Sequence, residues 1–138
     1  MKVTKRPVPV PDQSTKPFWD AVQQRQLVIQ RCQACKRYSH PPVSYCQNCG
    51  SRDLRFEAVS GRGAIYSFTI VSDTRLKGFE EVLPYQVVLV ELTEQRGLLM
   101  TVNMADTPVS GLRIGAPVLA HFIEVENGVV LPEFLLAE

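Results

Sequence analysis

Residues 32–50 read CQACKRYSHPPVSYCQNCG, and this stretch decides how the N-terminal part of the chain folds. It holds two C-x-x-C strings, Cys32-Gln33-Ala34-Cys35 and Cys46-Gln47-Asn48-Cys49, separated by ten residues, with Gly50 after the second. Two knuckles at this spacing let two hairpin tips meet around one tetrahedral ion. Backbone amides behind the first thiolate of each knuckle are expected to point at sulfur, and Gly50 suits the backbone leaving the second. Four thiolates, Cys32, Cys35, Cys46 and Cys49, fill the shell and leave no open position, so a structural site is expected rather than a catalytic one. Zinc is the expected ion, while ligand type alone does not separate it from rubredoxin-like iron. A thiol–disulfide role fits two paired knuckles less well than a closed metal site.

Outward from the knuckles, residues 27–31 alternate toward Cys32 as a strand, and 38–43, with Pro41-Pro42, return as an irregular second limb. Upstream, Ser14 and Thr15 are expected to cap a short helix with Pro17 in its first turn and Phe18, Val22 and Trp19 on its apolar side. Before it, Pro7, Pro9 and Pro11 predict an extended arm laid across another element. Downstream, residues 54–59, 63–72, 85–94, 98–104, 117–123 and 129–134 are strand-length and rich in Val, Ile, Leu, Phe and Tyr. Their separators carry turn chemistry, and Asn127-Gly128 suits a type I′ hairpin. About five strands with little helix between them favour a small closed antiparallel barrel of the OB type. The expected organisation is an arm, helix and first ribbon strand over 1–30, a zinc ribbon over 31–53 and a barrel over 54–138, two small modules in all.

Composition narrows the function. Fifteen basic and 14 acidic residues are interspersed and leave a net charge of +1, so no broad field draws in a polyanion. The N-terminal basic residues run into prolines rather than an apolar stretch, and the longest apolar runs, near 85–90, are strand-sized. A cytoplasmic protein outside the membrane is expected, with thiols available to metal rather than disulfides. His40 and His121 are the only histidines, and neither has a neighbouring Ser, Cys or carboxylate in a catalytic arrangement. His40 is read as a ribbon-surface residue and His121 as packing or exposed.

With the cysteine pairs stand Pro17-Phe18-Trp19, residues 27–31, the run Gly61-Arg62-Gly63-Ala64-Ile65-Tyr66-Ser67-Phe68-Thr69, Pro84-Tyr85 and Gly115. This set resembles the DUF35 proteins, a rubredoxin-like zinc ribbon followed by an OB-fold, over nearly the whole chain. The resemblance implies a mainly β fold: a short N-terminal helix and a rubredoxin-like ribbon, then a small antiparallel OB-fold barrel. It also implies a non-catalytic subunit of a thiolase-fold acyl-CoA enzyme of thiolase, aldolase or condensing type, stabilising it and shaping its acyl-CoA channel in a two-plus-two heterotetramer. Gln24-Arg25-Gln26 departs from the family's glycine-richer turn between helix and strand.

On that reading Phe18, Trp19, Phe79 and Tyr85 are the expected partner contacts, and Arg62, Arg75 and Lys77 the expected contacts to coenzyme A phosphates at the partner interface. Core packing and solvated turns are the plainer alternatives for these residues. A reading from another class is single-stranded nucleic-acid binding, since ribbons and OB barrels both serve it. That needs a basic groove with stacking aromatics, whereas Tyr66, Phe68, Phe79 and Tyr85 stand among Asp73, Glu80, Glu81, Glu91 and Glu94. An independent enzyme is disfavoured, because the chain shows no acid–base pair, phosphate loop or open metal site.

Overall fold

The computed structural model describes residues 8–73, 75 and 83–137. The helix α1 (Lys16–Gln23) starts with Pro17 in its first turn, as the sequence predicts, but the cap lies further upstream. Asp12 Oδ1 accepts from the amide and hydroxyl of Ser14 and the amide of Thr15, at 2.8, 2.7 and 2.9 Å, while Thr15 Oγ1 accepts from the Asp12 amide at 3.0 Å. A carboxylate takes several charge-assisted bonds at once where a hydroxyl takes fewer, and this holds the Asp12 carboxyl below its usual range, the Ser14 hydroxyl contributing most. The exit of α1 is a Schellman turn: Arg25 N–H donates to Val22 O at 2.8 Å and Gln26 N–H to Ala21 O at 2.9 Å, with Arg25 at φ 60°. Before the helix, Val8 and Val10 are exposed, while residues 1–7 of the expected arm lie outside the described residues.

The strand β1 (Val28–Cys32) is central in a three-stranded antiparallel sheet, between β2 (Tyr38–Ser39) and β3 (Leu54–Ala58). The strand β3, grouped with the barrel in the sequence reading, pairs with β1 from Val28↔Ala58 to Cys32↔Leu54 and so joins the two modules. The reason is chain length. Few residues separate Cys49 from Leu54, and Gln33 N–H donates to Asp53 O at 2.8 Å, so the chain re-enters the sheet it has just left.

The second sheet has β4 (Arg62–Val71), β5 (Tyr85–Leu92), β6 (Leu99–Val102), β7 (Pro117–Glu124) and β8 (Val130–Leu136), in the order β6-β5-β4-β7-β8. In β5 the residues Gln86, Val88, Val90 and Leu92 turn inward at strict period two. A bulge between Ile65 and Ser67 bends β4 and leaves Tyr66 52% exposed. Gly63 allows close approach, since a Cβ there would lie 2.5 Å from Glu91 O. Asn127 and Gly128, at φ 62° and 74°, form the expected type I′ turn between β7 and β8. The sheet curls until β6 nears β8, with no ladder between them among the described residues, so the OB-type fold is a half-barrel rather than the closed barrel expected.

Two modules do not mean two cores. Phe18, Val22, Leu27 and Ile29, from the helix and ribbon side, belong to one buried cluster with Ile65, Val90, Met100, Val118 and Phe134 of the barrel. The helix and ribbon contribute four residues to that cluster and lean on the barrel's larger share for their core. Gln23 adds a polar tie: its Nε2 donates to Gly128 O at 2.8 Å and its Oε1 accepts from Val130 N–H at 3.2 Å.

Candidate metal centre

The two knuckles are built alike. Lys36 N–H donates to Cys32 O and Gly50 N–H to Cys46 O, both at 2.9 Å; Cys32 N–H donates to Arg37 O at 2.9 Å and Cys46 N–H to Ser51 O at 2.8 Å. This repeated turn needs a left-handed residue after its second cysteine: Gly50 at φ 82° supplies it in one knuckle and Lys36 at φ 67° in the other. β1 delivers Cys32 directly, and the loop reaching Cys46 is fixed by Gln30, whose amide accepts from Val43 N–H at 2.8 Å and donates to Val43 O at 3.0 Å.

The four sulfurs converge. Cys32 Sγ lies 3.6 Å from Cys49 Sγ and Cys35 Sγ 3.6 Å from Cys46 Sγ, with all four within 4.8 Å of one another. Disulfide sulfurs sit about 2.0 Å apart, whereas 2.3 Å bonds to a tetrahedral ion set neighbouring sulfurs roughly 3.8 Å apart. The donor set therefore fits one tetrahedral thiophilic cation. Cys32 and Cys46 are buried; Cys35 and Cys49 reach the surface.

Outer partners orient the thiolates. Cys35 N–H donates to Cys32 Sγ and Asn48 N–H to Cys46 Sγ, each at 3.4 Å, and Asn48 Nδ2 reaches across to Cys35 Sγ at 3.5 Å. That Asn48 amide, with the Arg37 amide, holds the Cys35 thiol down to about 6. The Cys35 amide likewise lowers Cys32. Cys49 is pushed up to about 11: the Ser51 amide opposes the rise, and Cys32, burial and the other thiols drive it. Four such sulfurs become thiolates together only with a cation among them. Beside the site, Glu57 accepts from Gln33 Nε2 at 2.9 Å and pairs with Arg31 Nη1 at 3.2 Å, while Arg31 lies 4.5 Å over the Tyr38 ring.

The other expected site residues are scattered. Phe18 is 5% exposed, its ring meets Trp19 edge-on at 5.0 Å, and it packs in the core. Trp19 packs partly buried against that core, and Tyr85 is half-buried opposite Val71. Arg62 is exposed at the start of β4, and Arg75 is exposed four residues beyond its end at Val71. Lys77 and Phe79 lie outside the described residues. His40 is not the surface residue expected: it packs 5.7 Å from the Phe18 ring, and burial lowers its pKa. His121 is half-buried, with Nε2 3.5 Å from Asp106 Oδ2.

Comparison with known proteins agrees with this geometry. Residues 19–55 match the family model of the ChsH2 rubredoxin-like zinc ribbon domain, and 56–122 that of the ChsH2 C-terminal OB-fold domain; their junction falls inside β3. A solved structure described as an Ltp2-ChsH2(DUF35) aldolase aligns with TM-score 0.84 and 36% identity, covering 94% of this chain and 99% of the matched one. A DUF35 domain-containing scaffold protein of Methanocaldococcus jannaschii is 30% identical over 79% of this chain and 77% of its own length. A probable enoyl-CoA hydratase alpha subunit of Thermomonospora curvata is 37% identical over 94% of this chain, which spans only 39% of that protein.

Proposed function

Because this chain belongs to the DUF35 family, we propose that it is the non-catalytic partner of a thiolase-fold acyl-CoA enzyme of aldolase or thiolase type, stabilising it and shaping its acyl-CoA channel. The observation that carries the reading is the likeness, over 99% of the matched chain, to a solved structure described as an Ltp2-ChsH2(DUF35) aldolase. The metal site supports it from the chemical side. A closed tetrathiolate has no position for substrate or activated water, so its role is to hold the ribbon in shape, with zinc the ion that suits it.

The expected assembly is a two-plus-two heterotetramer in the cytoplasm. Among the described residues no helix is long and apolar enough to cross a membrane. Trp19 and Tyr85, both partly exposed, remain proposed partner contacts, as does Phe79. Arg62, Arg75 and Lys77 are proposed to meet coenzyme A phosphates; with Arg62 at the start of β4 and Arg75 beyond its far end, alanine at each should raise KM for the acyl-CoA independently.

Co-expression of this chain with a thiolase-like protein tests the reading. The two are expected to co-purify with stoichiometric zinc and to turn over an acyl thioester that neither handles alone. Cys46→Ser is expected to weaken that assembly. Turnover by the isolated chain, or an enzyme indifferent to its presence, would reject the proposal.

A further inference from the structure

The strand β2 is two residues long and lies at the edge of the ribbon's sheet, so its own ladder gives it little reason to stay in place. It is held from the barrel. Tyr38 N–H donates to Gln95 Oε1 at 2.8 Å, and Gln95 Nε2 donates to Tyr38 O at 3.1 Å, across 57 positions of sequence. Both backbone groups of one residue meeting one side-chain amide must point away from β1, to the edge where a further strand would add. The Gln95 amide thus takes the place of one peptide unit of an absent fourth strand.

The base of this clamp is rigid. Gln95 sits in the loop between β5 and β6, where Thr93 N–H and Oγ1 both donate to Arg62 O at 3.0 Å. Its neighbour Glu94 accepts from Ser60 N–H at 2.7 Å, fixing the segment that joins the two sheets. One hairpin therefore grips the ribbon at its outer strand and the linker at its middle. We infer that Gln95 is a positioning residue: its amide sets how β2, and the end of the first knuckle that leads into it, sits against the barrel, and with it the composite surface offered to a partner protein. The consequence for assembly rests on the accessory-subunit reading; the clamp itself does not.

The test uses the full zinc-loaded chain with Gln95→Ala, followed by amide hydrogen exchange and residual dipolar couplings. Tyr38 N–H is expected to exchange about tenfold faster, as the loss of one to two neutral hydrogen bonds implies. The couplings of residues 36–39 are expected to depart from the one alignment that the common core imposes on the rest of ribbon and barrel. A lowered melting temperature with exchange and common alignment unchanged overturns the inference. Should the alanine variant fail to fold, Gln95→Glu decides: it keeps the acceptor for Tyr38 N–H and loses the donor to Tyr38 O, so an intermediate exchange rate supports the clamp and parental behaviour overturns it. With a thiolase-like partner, a displaced β2 in a chain that still assembles at parental affinity overturns the link to assembly. If the unaltered chain finds no such partner, the accessory-subunit reading fails, while exchange and alignment still judge the clamp.

Discussion

Arg25 and Gly63 are conformational extremes that a single substitution can probe. Arg25 holds φ 60° at the end of α1, where a side chain costs roughly 1–2 kcal/mol relative to glycine, and its 3.6 Å ion pair with Glu124 is too exposed to offset that. Arg25→Gly is expected to raise stability by about 0.5–1 kcal/mol in denaturant melts, after glycine's larger unfolded-state entropy is deducted. Gly63→Ala should do the reverse: its Cβ would meet backbone at Glu91 O and the Val90 side chain at 2.8 Å, costing about 1–3 kcal/mol by the same measurement. The departure from glycine at 24–26 was visible in the sequence, but its meaning was not. Only the paired bonds from Arg25 and Gln26 back to Val22 and Ala21 show which of the three residues takes the left-handed turn.

Strands and knuckles were legible in the sequence because both follow local rules. Apolar alternation marks β5, and two C-x-x-C strings at one spacing mark a shared ion. What stayed hidden depends on distant partners. The partition of 54–58 follows from where the chain can reach, and the amides of Gln23, Gln30 and Gln95 each bond a remote backbone segment, leaving no periodic trace. Among the ribbon's elements, β3 is tied to the first knuckle through Glu57, whose pKa is lowered first by Gln33 and then by Arg31. A carboxyl lowered on folding stabilises above its ordinary 4.5, and that contribution fades as pH falls through the lowered value. The melting temperature of the parent should therefore exceed that of Glu57→Gln at neutral pH, and the gap should close on acidification.

At the scale of the whole molecule, the common core decides what metal loss does. Sequence alone suggests that a chelator unfolds the ribbon and spares the barrel, but Ile29 on β1 and Ile65 on β4 lie in the same cluster. Removing the ion is expected to shift the emission of Trp19, the only tryptophan, and to lower the melting temperature of the barrel with it; an unmoved barrel transition would separate the two. Short oligonucleotides should show no salt-dependent binding at physiological ionic strength, given the balanced charge. Continuity of the interior also bears on ancestry. A gene rearrangement that carried off only the thiolate-bearing part would strip Phe18, Val22, Leu27 and Ile29 of the sheet they pack on. Recombination is therefore expected to pass ribbon and curled sheet on together.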